Sequence, residues 1–168
     1  MESDAHNAGT EGLAAPFCVT NASGRGRYVV LVDHASAHIP SEYEGLGLTS
    51  SDRARHIAWD PGALPVAKAL AGALDAPLIH ATLSRLVIDV NRSPDASDLI
   101  AQTSEDTEIP GNQSVDDTER QRRMESIHEP YHRAIDDVLA RRARENLETA
   151  LVSIHTFTPA FRGEPRPW

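Results

Sequence analysis

Apolar runs along the chain predict where buried strands lie. Continuous runs rich in β-branched residues are typical of strands that are covered on both faces. Four such runs predict four strands: Tyr28 to Val32, Pro77 to His80, Leu83 to Val90 and Ala150 to Ile154.

Between these strands, apolar residues recur every three or four positions, which predicts helices. One helix runs from Asp60 to Asp75, with Asp60 placed to act as the N-cap and a proline at the first helical position. A longer helix runs from about Asp116 to Asn146, and Pro130 predicts a kink within it or two abutting helices. The alternation of strands and helices predicts an α/β fold, a three-layer sandwich with a mixed, largely parallel sheet.

Two segments lack this periodicity. Residues 1–26 contain four glycines and scattered polar residues, so we expect a flexible leader in front of a single domain over residues 27–168. The stretch from Ser93 to Glu119 contains eight carboxylates, two prolines and no Lys or Arg. It predicts a long surface loop, and loops of such length are often functional.

Composition narrows the class of protein. The 168 residues include 16 Lys and Arg and 25 Asp and Glu, and the resulting net charge of −9 argues against nucleic-acid or membrane partners. The single cysteine, Cys18, excludes an intrachain disulfide, and no apolar run approaches the ~20 residues that span a bilayer. The first residues lack the pattern of a secretory signal. We therefore expect a cytoplasmic protein.

Polar side chains follow directly on three of the predicted strands. Asp33 and His34 follow the first strand, Asn91 and Arg92 follow the third, and His155 follows the last. In open α/β sheets, ligands bind beyond the carboxyl ends of the strands. The sequence therefore predicts a site at this edge of the sheet.

Histidine and carboxylate side chains at such an edge indicate a metal-dependent hydrolase, since zinc hydrolases commonly use three ligands of these types. The candidates are His34, His38, Asp60 and His155, and we favour His34 over His38 because His34 ends a strand. Each has a structural alternative. Strand-end histidines are often hydrogen-bonded structural residues, and Asp60 alternatively serves only as a helix cap.

The segment from Ser84 to Ser93 is dense in polar residues and contains Arg85 and Arg92. Because a guanidinium matches a carboxylate with two parallel hydrogen bonds, paired arginines near a site predict an acidic substrate. The alternative is that Arg85 pairs with Asp89 and supports the sheet edge.

Four motifs in this chain resemble those of the N-formylglutamate amidohydrolase family, whose fold is similar to that of zinc carboxypeptidases and aspartoacylases. The resemblance extends over residues 28–159. The motifs are Val32-Asp33-His34-Ala35-Ser36, His56-Ile57-Ala58-Trp59-Asp60-Pro61-Gly62-Ala63, Ser84-Arg85-Leu86-Val87-Ile88-Asp89-Val90-Asn91-Arg92-Ser93 and Ser153-Ile154-His155-Thr156-Phe157-Thr158-Pro159.

The resemblance implies a phosphorylase/hydrolase-like, zinc-peptidase-like fold and a zinc-dependent hydrolase of a linear amide bond. The implied reaction releases formate from N-formyl-L-glutamate, a step of histidine breakdown. By the same resemblance, zinc would be bound by His34, Asp60 and His155. Substrate binding would fall to Arg85, Asn91 and Arg92, the last two gripping a carboxylate.

The chain departs from the family pattern at two points. Ala37 stands where carboxypeptidases have the glutamate of a His-x-x-Glu motif. The family's general-base glutamate follows the His-Thr-Phe-Thr motif on a later strand, whereas Glu164 is the only carboxylate after His155. We therefore expect a C-terminally shortened member with Glu164 as the candidate base and pairing into a homodimer through an open sheet edge. The alternative is a degenerate, non-catalytic member that binds a metal or an acidic small molecule.

Overall fold

The computed structural model describes residues 15–161 and 164–167, with a four-stranded sheet at the centre. The strands are β1 (Phe17–Thr20), β2 (Tyr28–Val32), β3 (Leu78–Ala81), β4 (Thr103–Ser104), β5 (Thr107–Glu108), β6 (Ala150–Ser153), β7 (Ala160–Phe161) and β8 (Glu164–Pro165). The central sheet has the order β1-β3-β2-β6. Strand β2 is parallel to both β3 and β6, whereas β1 runs antiparallel to β3. The prediction of a mixed, largely parallel sheet is confirmed.

Helices cover both faces of this sheet. They are α1 (Ser50–Ala54), α2 (Ala63–Ala73), α3 (Asp117–Arg123) and α4 (Glu129–Arg144), with 3-10 segments at Ser41–Gly47 and Pro110–Asn112. In the described part of the chain, no helix combines the length and the apolar character needed to cross a lipid bilayer.

Alternating side chains of β2 build the three layers. Val29 and Leu31 belong to the larger core cluster, in which Tyr131 of α4 is fully buried. The residues between them, Val30 and Val32, pack with the alanine-rich face of α2 in a second cluster. Because successive strand residues point to opposite faces, β2 buries apolar side chains against a helix on either side.

The long helix is interrupted beside Pro130, as predicted. A π-helical turn, Met124–His128, joins α3 to α4, and the Glu129 N–H bonds back to the Met124 carbonyl. Proline has no N–H and crowds the carbonyl four residues before it, so the extra residue of a π turn relieves the mismatch.

The predicted strand from Leu83 to Val90 is wrong, because this segment crosses the core in an irregular conformation. Side chains rather than a neighbouring strand satisfy the carbonyls of Leu86 and Val87. Asn112 Nδ2 donates to the Leu86 carbonyl at 2.8 Å, and the buried Arg123 donates to that of Val87 at 2.8 Å. The run is as apolar as a buried strand, so its hydrophobicity alone does not distinguish the two conformations.

Two segments predicted to be irregular contain regular structure. Residues 17–20 of the predicted leader form β1, so the leader prediction is wrong there, and residues 1–14 lie outside the described part. Within the predicted surface loop, β4 and β5 form a hairpin, and Leu99 and Ile109 are fully buried. These few apolar residues anchor an otherwise acidic stretch to the core.

Candidate metal-binding site

The carboxyl ends of β2 and β6 lie side by side because the two strands are parallel neighbours. Strand β2 is followed by Asp33 and His34, and β6 by Ile154 and His155. Asp60 comes from the loop before α2, where its backbone N–H donates to the His34 carbonyl at 2.9 Å. Residues far apart in sequence therefore meet at the predicted edge of the sheet.

Of the two roles left open for Asp60, helix capping is wrong. The N-cap position of α2 is held by Gly62, which has a φ of 86°, in the left-handed region that glycine tolerates. The helix thus starts later than predicted, and the Asp60 carboxylate is directed toward His155 instead.

Three side chains converge closely enough to share one metal ion. One ligand atom from each of His34, Asp60 and His155 lies within 4.8 Å of the others. Asp60 Oδ2 is 2.8 Å from His155 Nδ1 and 3.6 Å from His34 Nδ1. His34 and Asp60 are buried and His155 is half-buried, whereas His38 is exposed and does not belong to this cluster.

In each histidine of the cluster, the ring nitrogen that points away from the other ligands contacts a carboxylate. His34 Nε2 donates to Asp89 Oδ1 at 2.7 Å, and His155 Nε2 lies 3.1 Å from Asp33 Oδ2. In both residues Nδ1 is therefore the atom that faces the cluster. Metal-ligating histidines usually bond their other ring nitrogen to such a partner, which fixes ring orientation and tautomer.

The sequence did not identify this role for either carboxylate. Asp89 was predicted as a partner of Arg85, and Asp33 only as part of a strand-end motif. The signal available in the sequence was a carboxylate at the end of, or within, an apolar run, where an unpaired charge would be costly.

Asp33 is the centre of a buried network. Tyr131 donates to Asp33 Oδ1 at 2.8 Å, and Ser153 Oγ donates to Oδ2 at 2.5 Å. Burial by itself would raise the pKa of Asp33, but hydrogen bonds from His155, Ser153 and Tyr131 outweigh it and hold the pKa at about 2. Asp33 is thus a carboxylate at any physiological pH.

The two carboxylates also determine the charge of His155. Hydrogen bonds to Asp33 and then Asp60 raise the pKa of His155 to about 9, so without a metal it is an imidazolium. Burial favours a higher pKa for Asp60, but its hydrogen bond to His155 and the nearby His34 ring shift the pKa below the ordinary value. For His34, burial lowers the pKa, and the nearby Asp60 carboxylate and the hydrogen bond to Asp89 reverse that effect, giving a raised pKa.

The predicted substrate-binding residues adjoin this cluster through Asp89. Arg85 donates to Asp89 Oδ2 at 2.6 Å, so the predicted Arg85–Asp89 pair is present, and the same guanidinium lies 3.2 Å from His34 Nδ1. The Asn91 N–H donates to Asp89 Oδ1 at 2.9 Å. Arg92 is partly exposed and donates from Nε to Asp98 at 2.9 Å.

Glu164, the candidate general base, is exposed on β8. It is not a member of the ligand cluster found among the described residues. A catalytic role for Glu164 stays a prediction from the sequence.

Comparison with known proteins identifies relatives of this architecture. The model of the N-formylglutamate amidohydrolase family matches residues 26–168. A crystal structure of a gene product from Agrobacterium tumefaciens is 37% identical, with a TM-score of 0.89 over 91% of this chain and 61% of that chain. An N-formylglutamate amidohydrolase from Ralstonia eutropha shares the fold, with 20% identity and a TM-score of 0.63 over 86% of this chain and 58% of that chain. This chain thus spans about three fifths of each of these structures. No curated protein matches the chain.

Proposed function

The chain belongs to the N-formylglutamate amidohydrolase family, and we propose that it catalyses the hydrolysis of a linear amide bond with zinc as cofactor. The family match indicates hydrolase chemistry. The observation that supports a metal-dependent reaction is the convergence of His34, Asp60 and His155. Each of the two histidines is also oriented by a carboxylate of its own outside this set.

The donor set fits zinc. Two imidazole nitrogens and one carboxylate oxygen are a common set of three protein ligands in catalytic zinc sites. Asp89 and Asp33 would hold the two rings so that both Nδ1 atoms face Asp60. When bound at such a site, zinc polarises an amide carbonyl and activates water.

The substrate we propose is N-formyl-L-glutamate, an anionic N-acyl amino acid. Asn91 is exposed and Arg92 is partly exposed, so both side chains are accessible to a carboxylate group. A guanidinium fork binds a carboxylate strongly, which would offset repulsion from a chain of net charge −9. Arg85, close to His34, is placed to contact the same substrate nearer the metal.

The test is formate release from N-formyl-L-glutamate by purified protein, first stripped of metal with a chelator and then reloaded with zinc. We expect turnover only in the reloaded protein. His155→Ala should bind no zinc and release no formate, whereas the matched change His38→Ala, at an exposed histidine outside the cluster, should retain both.

Zinc-independent turnover would refute the metal role. Zinc bound with full stoichiometry by His155→Ala would refute the ligand set. Zinc binding without formate release from the reloaded protein would reject N-formyl-L-glutamate as substrate.

A further inference from the structure

Two histidines of the long helix contact the backbone of residues 90–92, which we name the Asn91 loop. His128 Nε2 lies 3.0 Å from the Arg92 carbonyl, and His132 Nε2 lies 2.9 Å from the Val90 carbonyl. A carbonyl oxygen can only accept, so each imidazole carries its proton on Nε2 and donates it. The two rings pack against each other, with centroids 4.4 Å apart.

The helix is irregular where it presents this pair. His128 is the last residue of the π-helical turn and is 4% exposed, and His132 follows one turn later. Tyr131, between them, donates to Asp33 behind His155. One short stretch of helix therefore contacts both the Asn91 loop and Asp33, the carboxylate that orients the candidate metal ligand His155. Turns of π-helix are frequent at functional sites.

The opposite side of the loop is held by Asp89. The Asn91 N–H donates to Asp89 Oδ1 and the Arg92 N–H to the Asp89 carbonyl, at 2.9 and 3.0 Å. The same Oδ1 accepts from His34 Nε2 at 2.7 Å. Both peptide groups around Asn91 are thus fixed relative to a candidate metal ligand, while the Asn91 side chain stays exposed.

We propose that His128 and His132 are positioning residues that set the place of the Asn91 loop relative to the metal site and so determine selectivity for carboxylate-bearing substrates. The inference rests on the proposed function, in which Asn91 and Arg92 bind the substrate carboxylate. A small displacement of a binding group weakens the interactions it makes, because hydrogen bonds and ion pairs depend steeply on geometry.

His132 is the residue to change, because it is largely on the helix surface and its replacement leaves the core intact. His132→Phe keeps a ring of similar shape but cannot donate to the Val90 carbonyl. His132→Gln offers an amide N–H in place of the imidazole and tests for rescue. Arg133→Ala, at the exposed neighbouring position, is the matched control.

Steady-state formate release by zinc-loaded protein, with N-formyl-L-glutamate and with its uncharged diamide as substrates, is the measurement, and KM reports the affinity for each. We expect His132→Phe to bind N-formyl-L-glutamate about tenfold more weakly, the factor that corresponds to loss of one hydrogen bond between the displaced Asn91 loop and the substrate. Its binding of the diamide should stay within about twofold, and His132→Gln should recover most of the lost affinity. Arg133→Ala should match the parent protein.

Three results would overturn the proposal. If His132→Phe binds N-formyl-L-glutamate as tightly as the parent protein does, the positioning role is refuted. Formate release by the parent protein would still support the proposed function in that case. Equal weakening toward the anion and the diamide would indicate a general structural role. If the parent protein neither binds nor hydrolyses N-formyl-L-glutamate, the proposed function fails and this inference fails with it.

Discussion

Stability of the metal-free protein should decline at alkaline pH because of His155. Its pKa is raised from 6.5 to about 9 by hydrogen bonds to Asp33 and Asp60. A group whose pKa is higher in the folded state binds its proton more tightly there, so its contribution is complete below pH 6.5 and is lost as pH rises through about 9.

The magnitude follows from the size of the pKa shift. A pKa difference of one corresponds to 1.36 kcal/mol, so a pKa raised from 6.5 to about 9 predicts a loss of at most about 3 kcal/mol between pH 6 and pH 10. The side chain is only 19% exposed, so solvent screens the pairing little.

Urea unfolding in the presence of a chelator, at half-unit steps from pH 6 to pH 10, measures this loss. His155→Gln cannot carry the charge, so the difference in unfolding free energy between the parent protein and this variant isolates the contribution of His155. The exposed His38→Gln is the matched control and should follow the parent protein. A parent-minus-variant difference that stays constant across this range would refute the assigned charge state of His155.

Three further predictions concern the site and the irregular core segment. Asp89→Asn weakens the bond that orients His34, so zinc affinity measured by competition with a chelator should fall about 10- to 100-fold, and unchanged affinity would contradict the supporting role. Arg92→Ala should raise KM for N-formyl-L-glutamate much more than for its diamide in a formate-release assay, whereas equal effects would argue against a carboxylate contact. Asn112→Ala leaves the buried carbonyl of Leu86 and the partly buried carbonyl of Ala101 without their donor. At about 1–3 kcal/mol for an unsatisfied buried group, urea unfolding should show a loss of at least about 1 kcal/mol, and a loss below about 0.5 kcal/mol would refute that account.

Local patterns predicted the elements whose signal lies within a few neighbouring residues. Strand β2 was predicted with its observed bounds, Tyr28–Val32, because an unbroken apolar run is what a strand covered on both faces requires. The break in the long helix was also correctly predicted, because the missing N–H of Pro130 acts within a single turn. Strand ends then indicated where His34 and His155 lie, and the structure brings both beside Asp60.

The hydrogen-bond partners were decided only by the tertiary structure. The segment from Leu83 to Val90 is buried as its hydrophobicity indicates, but its irregular conformation depends on donors such as Asn112 and Arg123 that follow much later in the chain. Likewise, Asp33 and Asp89 acquire their supporting roles from histidines 122 and 55 residues away. The sequence by itself indicated that β2 and the segment from Leu83 to Val90 belong to the apolar core, since their burial follows from side-chain polarity. Which buried polar groups pair depends on where distant segments meet, and no local pattern encodes that.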